Sequence, residues 1–502
     1  MAEETVTESL PCVVVRCFRS STVFRNGALI LILALANGLA IAADQKENPN
    51  PCKLSDAEAA GLNGDLSTDV TAVREYTVTI AQMLRQEEFG KLDCVANQAR
   101  SSKERFSGGT WKLHELYAGL YDPAQYPVKH ATQEDWINLL QELEQWKTTR
   151  PESITARVAL GRAYIRYAYD ARGGGYANTV SESGWKLFGE RIEKAKAVID
   201  EASTLATKCP EWYVDMLLIA LNESWERADA RDLFEEADKF EPGYYYNARQ
   251  YAGYLLPQWN GQKGETEQFI KEIADRIGGE QGDILYFQVA SWDNLTCGCD
   301  DSPQMSWERI VRGYEASEKK YGVSMLNSNR IAYLATHFGK LDALAADKAM
   351  ARIGDQWDEE TWGKKEEFDA MKDWAAKAAP FAAKTKAIEA AAETNAKTPE
   401  GARYHSSVEK TYRGLVQGCA STDGTGVDKW EGQFEALVSI GAKGTVEENR
   451  IYAMGPVAVC VYRKLLNMKE QQATPFPPPP QPAPYWVRLD LDWADFAPVA
   501  AK

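Results

Sequence analysis

Residues 211–242, with the sequence EWYVDMLLIALNESWERADARDLFEEADKFEP, hold the clearest structural pattern in this chain. Apolar side chains recur at three- and four-residue spacing in two successive segments, and a proline ends the second: Val214, Leu217, Leu221, Ala230, Phe234, Ala237 and Pro242. Such spacing predicts two amphipathic helices that pack as a hairpin. A unit of this size is typical of one repeat in an α-solenoid, and solenoids commonly present a concave surface to another protein or peptide.

An earlier part of the chain repeats this pattern. Ala195, Ile199 and Ala202 have the four-then-three spacing of the second helix above, and residues 160–164, LGRAY, place a large, a small and an aromatic side chain as a first repeat helix does. Further helix pairs are predicted between residues 245 and 353. The spacing therefore predicts a mostly α protein, with a tetratricopeptide-like α-solenoid of helix hairpins over residues 68–355.

Length and charge restrict the classes of partner. With 502 residues, 44% of them hydrophobic, the chain can bury a large core. Its net charge of −16 would repel nucleic-acid phosphates, and no local basic patch offsets that charge. A protein or peptide partner is expected, and no nucleic acid.

The N-terminus has the pattern of an export signal. Arg16, Arg19 and Arg25 precede an apolar run at residues 28–41, which ends in the small-residue sequence Ala-Ile-Ala at 40–42. A signal peptide at residues 1–42, cleaved near Ala42, would leave no stable membrane span and would deliver the protein to the periplasm or outside the cell. The polar lead at residues 1–25 is long, so an uncleaved membrane anchor is the alternative. Residues 43–67 are polar and predict a tether.

Cysteine usage agrees with export. In an oxidising compartment most of the seven cysteines outside the signal should pair. We expect Cys419 to pair with Cys460, since both belong to one C-terminal domain. A Cys52–Cys94 bridge would hold the polar N-terminal segment against the first helices.

The remaining cysteines carry an alternative function. Cys297 and Cys299 flank one glycine, and closely spaced thiols can exchange electrons or share a soft metal ion. The neighbouring Asp300 and Asp301 would raise the thiol pKa values rather than lower them. A structural disulfide, with Cys209 as one conceivable partner, is therefore favoured over a thiol-active redox protein.

Several motifs within residues 89–292 resemble a bacterial family known as domain of unknown function 4034. The resemblance rests on GTWKL at 109–113, ALGRA at 159–163, ARGGGYA at 171–177 and YAGYLLP at 251–257, followed by Trp259. It implies a repeat-like helical fold and supplies no established activity, so no catalytic residue is carried over from it.

The C-terminal part changes periodicity. Residues 356–400 are rich in alanine and lysine and predict a solvated helical linker. Residues 434–440 then alternate apolar and polar, a glycine turn and a second strand follow, and a helix at 457–468 and a proline run precede an alternating strand at 485–491. A small α/β domain is predicted over residues 401–493, with a tail at 494–502.

This order of elements resembles the C-terminal domain of TonB-like periplasmic proteins. The Gly444-Thr-Val446 turn, Cys460 within the helix and the Phe-Pro-Pro run contribute to the resemblance. It implies an envelope transport component as a further alternative. The chain departs from an energy transducer because its signal is expected to be cleaved and it has no long proline-rich spacer.

A polar and aromatic group supplies the candidate binding site. Arg162, Arg166 and Tyr169 share one predicted helix face, and Arg172 precedes a glycine-rich loop that ordinary repeats lack. The loop carries Tyr176 and leads to Trp185. Together these side chains could bind a carboxylate or an acidic peptide through bidentate hydrogen bonds and stacking. The alternative is a structural network in which the arginines pair with acidic residues such as Glu190 and Glu193.

No motif for catalysis is present. The four histidines, His114, His130, His337 and His405, lack the spacing of metal ligands, and the sequence has no Gly-x-Ser-x-Gly nucleophile elbow. The glycines at 173–175 are not followed by the lysine of a phosphate loop. We therefore expect no metal, no cofactor and no catalytic residue, and an exported non-catalytic scaffold that binds a protein or peptide in the bacterial cell envelope.

Overall fold

A computed structural model describes residues 52–123, 131–174, 177–292, 305–337, 341–420, 434–452, 456–492 and 496. The predicted signal peptide, Tyr176, Cys297 and Cys299 lie outside the described residues. The described chain is mostly helical and has a small antiparallel sheet near the C-terminus. It divides into two compact units between Lys372 and Asp373.

The helices of the described residues are α1 Asp56–Leu62, α2 Ala72–Arg85, α3 Phe89–Ser102, α4 Lys112–Ala118, α5 Gln133–Thr149, α6 Ile154–Arg172, α7 Glu182–Ser203, α8 Pro210–Asn222, α9 Arg227–Phe240, α10 Tyr245–Tyr254, α11 Glu265–Ile277, α12 Gly279–Ala290, α13 Trp307–Tyr321, α14 Met325–His337, α15 Ala343–Ile353, α16 Glu359–Trp362, α17 Lys365–Ala396, α18 Pro399–Ala420 and α19 Pro456–Glu470. The strands are β1 Phe434–Ile440, β2 Val446–Tyr452 and β3 Tyr485–Leu491. Across the parts of the chain that the structure covers, no helix has both the length and the apolar character needed to cross a membrane.

The two amphipathic segments predicted within residues 211–242 form α8 and α9. Pro210 occupies the first turn of α8, where its missing N–H costs no hydrogen bond. The predicted apolar stripes of both helices are buried, and Phe234 of α9 packs edge-on against Phe269 of α11 with ring centroids 4.9 Å apart. The helical period of the sequence thus produces the core of this part of the first unit.

Neighbouring helices of the first unit pack in pairs, and alternate helices pack on each other: α6 contacts α8, α8 contacts α10 and α10 contacts α12. The α6–α7 hairpin depends on a close approach at Gly161. A Cβ atom there would lie 2.5 Å from Cδ1 of the buried Ile199. The small residue of the LGRAY stretch therefore fits because α7 leaves no space for a side chain.

Segments from the N-terminal part of the unit contact α13 and α14. The Gly108 carbonyl, just before α4, accepts hydrogen bonds from Ser317 Oγ at 2.9 Å and Asn327 Nδ2 at 3.0 Å. The Met325 N–H donates to the Leu66 carbonyl at 2.9 Å. These bonds join segments more than half of the unit apart, whereas a solenoid with free ends would leave its terminal repeats separate.

The second unit contains the sheet, in the order β2-β1-β3 with antiparallel pairs. One face of β1 packs on α18 and α19. On the other face, Leu437 packs with Ile388 and Ala392 of α17, so the central strand is buried on both sides. The second half of α17 falls within the predicted solvated linker at 356–400, yet it belongs to this core because it covers the sheet.

Both predicted disulfides form, Cys52–Cys94 in the first unit and Cys419–Cys460 in the second. The first bridge holds residues that we expected to be a polar tether. Residues 52–67 instead contain α1 and bury Leu62 and Leu66. The suggestion that Cys209 joins a disulfide is wrong, since its thiol is free and buried.

Candidate functional site

Two acidic side chains interrupt the otherwise apolar helix α8. Glu211 and Asp215 are one turn apart and are 1% and 0% exposed. Both face Arg162 of α6. The Nε atom of Arg162 donates a hydrogen bond to Asp215, and its Nη2 atom lies 3.5 Å from Glu211 Oε2. One buried guanidinium therefore holds two carboxyl groups, which is a structural reason for the charge at each of these positions.

Glu211 has two further partners. Its Oε1 atom accepts hydrogen bonds from His114 Nδ1 of α4 at 2.6 Å and from the Tyr244 hydroxyl, at the start of α10, at 2.5 Å. The His114 ring stacks on Tyr246 with centroids 3.4 Å apart. Glu211 thus links α4, α6 and α10 through one carboxylate.

These partners decide which acid is ionised. Burial by itself raises the pKa of Glu211, but His114, Arg162 and the Tyr244 hydroxyl together hold it below the usual value. Burial raises the pKa of Asp215 to about 7, although Arg162 opposes that shift. The network therefore favours the ionised form of Glu211 and shifts Asp215 towards its protonated form.

Glu115 differs from both acids because solvent reaches it. Its side chain is partly exposed, and within the described chain no hydrogen bond reaches its carboxyl group. Burial nevertheless raises the pKa of Glu115, against the attraction of His114, Arg330 and Arg249. Glu115 is thus a half-buried side chain among charged groups from several helices.

We call this region the Glu115 recess and define it by the side chains that act on Glu115 and on the adjacent Tyr121. They come from α4 and the turn after it, α6, α8, α10 and α14: His114, Glu115, Tyr121, Arg162, Arg166, Glu211, Tyr246, Arg249 and Arg330. The contacts between alternate helices bring these side chains together. Chemically, the recess combines a carboxyl group, whose pKa burial raises, with guanidinium groups and phenols, which are hydrogen-bond donors.

The structure separates the residues of the predicted binding site. Arg162 is 6% exposed and occupied by Asp215 and Glu211. Arg166 is half exposed and donates to Asp122 at 2.8 Å. The alternative of a structural network fits Arg162, but its acidic partners are on α8 and not at Glu190 and Glu193 of α7.

The other predicted site residues lie towards the end of α6. Tyr169 donates its hydroxyl to Asn222 Oδ1 at 2.7 Å. Arg172 is buried, donates to the Gly173 carbonyl at 2.9 Å and lies 5.4 Å from the centroid of the Trp185 ring. This group is therefore packed against its own helix end and α7, and only Arg166 presents a largely exposed cation.

The free thiol of Cys209 lies beside this network. Its Sγ atom is 3.3 Å from the Tyr117 hydroxyl and 3.9 Å from Arg100 Nη1. Burial raises the pKa of the Cys209 thiol despite the nearby Arg100. A buried protonated thiol is a poor nucleophile, so its contacts here are structural.

Two open depressions, of about 590 and 430 Å³, lie along α3 and the start of α6. Both include Asp93, which accepts hydrogen bonds from Ser153 Oγ at 2.5 Å and Arg150 Nε at 2.9 Å. These polar groups of the two depressions already have partners within the protein.

Sequence reasoning missed Glu115, Glu211 and Asp215. The two acids of α8 could have been predicted to form a buried network. They lie one turn apart within the apolar sequence EWYVDMLLIA, where a charge must be paired if the helix is to be buried. Glu115 had no such signal, because only the folding of α10 and α14 against α4 encloses it. Among the described residues, no group of three or more His, Cys, Asp or Glu side chains is arranged to hold a metal ion.

Comparisons of the chain with protein-family models, with curated proteins and with solved structures gave no match. The resemblances to the domain of unknown function 4034 and to TonB-like proteins therefore stay predictions.

Proposed function

We propose that this chain is an exported, non-catalytic binding protein of the cell envelope, and that its first unit holds a segment of protein or peptide at the Glu115 recess. Its helix pairs would be tetratricopeptide-like repeats in this proposal. The observation that carries the proposal is Glu115, a half-buried side chain whose carboxyl group accepts no hydrogen bond within the described chain.

Energetics favour a ligand at this position. An enclosed carboxyl without a partner destabilises the folded chain, and its raised pKa expresses that destabilisation. A glutamine or an apolar residue would fold at lower cost. Side chains that oppose folding in this way are typical of positions kept for binding, where a ligand supplies the missing partner.

The side chains around the recess suit a polypeptide. Tyr121 and Tyr246 offer aromatic faces and hydroxyl groups, and the exposed Arg166–Asp122 pair lies close to Tyr121. Aromatic residues and arginine are enriched where proteins bind peptides and other proteins, because they combine apolar area with hydrogen bonding.

The cysteines support the proposed compartment. The two disulfides are compatible with an oxidising location such as the periplasm or the outside of the cell. We retain the cleaved N-terminal signal as part of the proposal.

Site-specific photo-cross-linking in the producing cells tests the proposal. A photoreactive phenylalanine derivative replaces Arg166 at the recess or, as the matched control, Lys271, which is 70% exposed on α11. We expect a covalently attached polypeptide at position 166 and none at 271, with a reduced yield when Glu115→Ala is added. Equal yields at the two positions, or no yield at 166, would overturn the proposal.

Two alternative functions stay predictions. The thiol-active protein would depend on Cys297 and Cys299, which lie outside the described residues. The transport component is favoured by one observation, the order of β1, β2, α19 and β3 in the second unit. Cross-linking followed by co-purification of an inner-membrane motor complex would support it, and the absence of that complex would exclude it.

A further inference from the structure

We propose that the open edge of β2, in the second unit, binds an extended segment of another polypeptide, which adds to the sheet as a fourth strand. This site goes beyond the proposed function, because it belongs to the other unit and recognises main-chain groups. It rests on the unpaired backbone groups of β2 and on the exposed apolar side chains that flank the position of a fourth strand.

The β3 edge of the sheet is closed by side chains. Asn395 Nδ2 of α17 donates a hydrogen bond to the Trp486 carbonyl at 3.1 Å, and His405 Nε2 of α18 donates one to the Arg488 carbonyl. Both carbonyl groups therefore point away from β1. Covering of an edge in this way keeps a further strand from pairing with it.

The β2 edge is open. Neighbouring residues of a strand direct their N–H and C=O groups alternately to one side and to the other. Because Arg488 points outward, Leu437 opposite it on β1 directs its backbone groups to Arg450 of β2. Asn449 and Ile451 consequently direct theirs away from the sheet, and within the described chain these groups have no hydrogen-bond partner. Such a row of free donors and acceptors is a template for another strand.

One flank of the open edge is formed by α17, which crosses the sheet from β3 to β2. Its Asn395 binds β3, and its Ile388 packs on β1. Thr385 then accepts a hydrogen bond from Arg450 Nη1 of β2 at 2.6 Å. Phe381 lies about 6 Å further along the helix axis, which exceeds the spacing of about 4.8 Å between strands. Phe381 is thus beyond β2, and its side chain is 75% exposed.

The other flank is formed by α19. Val461 points into the core, and its neighbours Cys460 and Tyr462 point to opposite sides of the helix, since consecutive residues are about 100° apart. Cys460 is joined to Cys419 of α18, so Tyr462 and, one turn later, Leu466 face away from α18. Because α18 contacts β3 and α19 contacts β2, this side of α19 faces the open edge. Tyr462 is 48% exposed and Leu466 is 41% exposed.

These features fit an isolated strand and not a second copy of the chain. A second copy that paired antiparallel through its own β2 would bring its α19 to the same face. Neighbouring strands are about 4.8 Å apart, whereas packed helices need about 8–10 Å, so the two helices would collide. A bare extended segment avoids the collision, and its alternate side chains contact Phe381 on one face and Tyr462 and Leu466 on the other. We therefore expect a segment that is apolar on both faces, as β1 is.

Peptide pools test the inference with the full-length chain. The probe is a pool of nine-residue peptides whose five central positions are drawn from valine, isoleucine, phenylalanine and threonine, with lysines at both ends for solubility. A second pool is N-methylated on the three central residues, which removes main-chain donors from both edges of the peptide. We expect the first pool to be retained about tenfold better, since two backbone hydrogen bonds have that effect on affinity. Equal retention of the two pools would overturn the inference.

Matched substitutions locate the binding site. Phe381→Glu and Leu466→Glu place charges on the two flanks, and each should weaken retention of the first pool by about tenfold, because an apolar contact is lost. Leu187→Glu on α7 is the control, since Leu187 is as exposed as Leu466 and belongs to the first unit. Thermal unfolding checks that the three variants fold, as the exposure of these side chains leads us to expect. Equal retention by the three variants would contradict the assignment.

Hydrogen exchange identifies the occupant. Without peptide, the amides of Asn449 and Ile451 should exchange fast, and a saturating amount of the first pool should slow them at least about tenfold. The amide of Arg450, bonded to β1, should be slow throughout. Slow exchange at Asn449 and Ile451 before peptide is added would show an edge already paired within the chain or with a second copy, and would refute the inference. A dimer in sedimentation that Phe381→Glu dissociates would refute it as well.

Discussion

The carbonyl oxygen of Gly108 accepts a hydrogen bond from Asn327 Nδ2 at 3.0 Å, although 219 residues separate the two in sequence. The backbone of Gly108 has a positive φ of 78°, and a Cβ atom there would lie 2.4 Å from Ser324 Cβ. The first helices of the unit can therefore reach α14 only with glycine at this position. The contact fixes α4, and with it His114 and Glu115, against the last helices of the unit.

We predict that Asn327→Ala lowers the free energy of unfolding of the first unit by about 1–3 kcal/mol, because it removes a buried hydrogen bond and leaves a gap. Chemical denaturation followed by tryptophan fluorescence measures the change. Hydrogen exchange should also show faster exchange of the amides near residue 108. Gln281→Ala on the exposed surface serves as the control, and an equal effect of the two substitutions would contradict a special role for this contact.

The α6–α7 contact gives a prediction about Gly161. Alanine at this position places a methyl group 2.5 Å from Ile199 Cδ1, so either Ile199 or the helix must move. We expect a loss of about 1–3 kcal/mol of stability for Gly161→Ala, as overpacking of a core produces. Gly189→Ala is the control in a neighbouring helix, since its Cβ meets nothing within 4 Å and helix propensity favours alanine there. Thermal unfolding should shift down for the first variant and up or not at all for the second.

Arg162 and Arg166 are one helical turn apart, and their replacement is predicted to change stability by very different amounts. Arg162→Ala leaves Glu211 and Asp215 buried without their guanidinium, so we expect a loss of about 3–5 kcal/mol or failure to fold. Arg166→Ala removes an exposed pair with Asp122 and should change stability by less than about 1 kcal/mol. Denaturant unfolding of the two variants measures the difference, and similar losses would show that the buried network does not carry the stability assigned to it.

The pKa of Asp215 predicts how stability depends on pH. In the folded chain this pKa is raised from 3.8 to about 7, so between these values the folded state holds a proton that the unfolded state has lost. Raising the pH across that window therefore destabilises the wild type, by up to about 1.4 kcal/mol per pH unit. Asp215→Asn cannot ionise and should lack this slope.

The difference in unfolding free energy between wild type and Asp215→Asn should thus change between about pH 4 and pH 7 and stay constant outside that range. The comparison cancels the titration of the other acids, including Glu58, whose pKa lies at about 2. A difference that does not vary with pH would mean that Asp215 is ionised throughout in the folded state.

Local pattern was sufficient to predict the elements of the fold. The three- and four-residue spacing around Phe234 predicted α8 and α9, and the alternation from Phe434 to Ile440 predicted β1. Spacing works for these elements because burial of one face follows directly from the helical or extended repeat. Membership of one C-terminal domain predicted the pairing of Cys419 with Cys460, and the need to hold the N-terminal segment predicted that of Cys52 with Cys94.

The site could not be predicted in this way. Arg162 and Arg166 share a helix face in the sequence, yet one is buried in an ion-pair network and the other is half exposed. They differ in burial because α8 packs against Arg162 and does not pack against Arg166. The second half of α17 was assigned to a solvated linker for the same reason, because its alanine-rich sequence did not reveal that Ile388 covers β1.

The sequence by itself therefore determined most of the helical and strand elements, their order and the disulfide partners, since each follows from the period of neighbouring residues or from a small set of cysteines. Only the tertiary structure decided that Gly108 meets Asn327 and that Glu115 lies enclosed by Arg249 and Arg330. The physical reason is that enclosure and charge neighbourhood are set by contacts between distant segments, and these contacts, unlike burial of a helix face, leave no periodic trace along the chain.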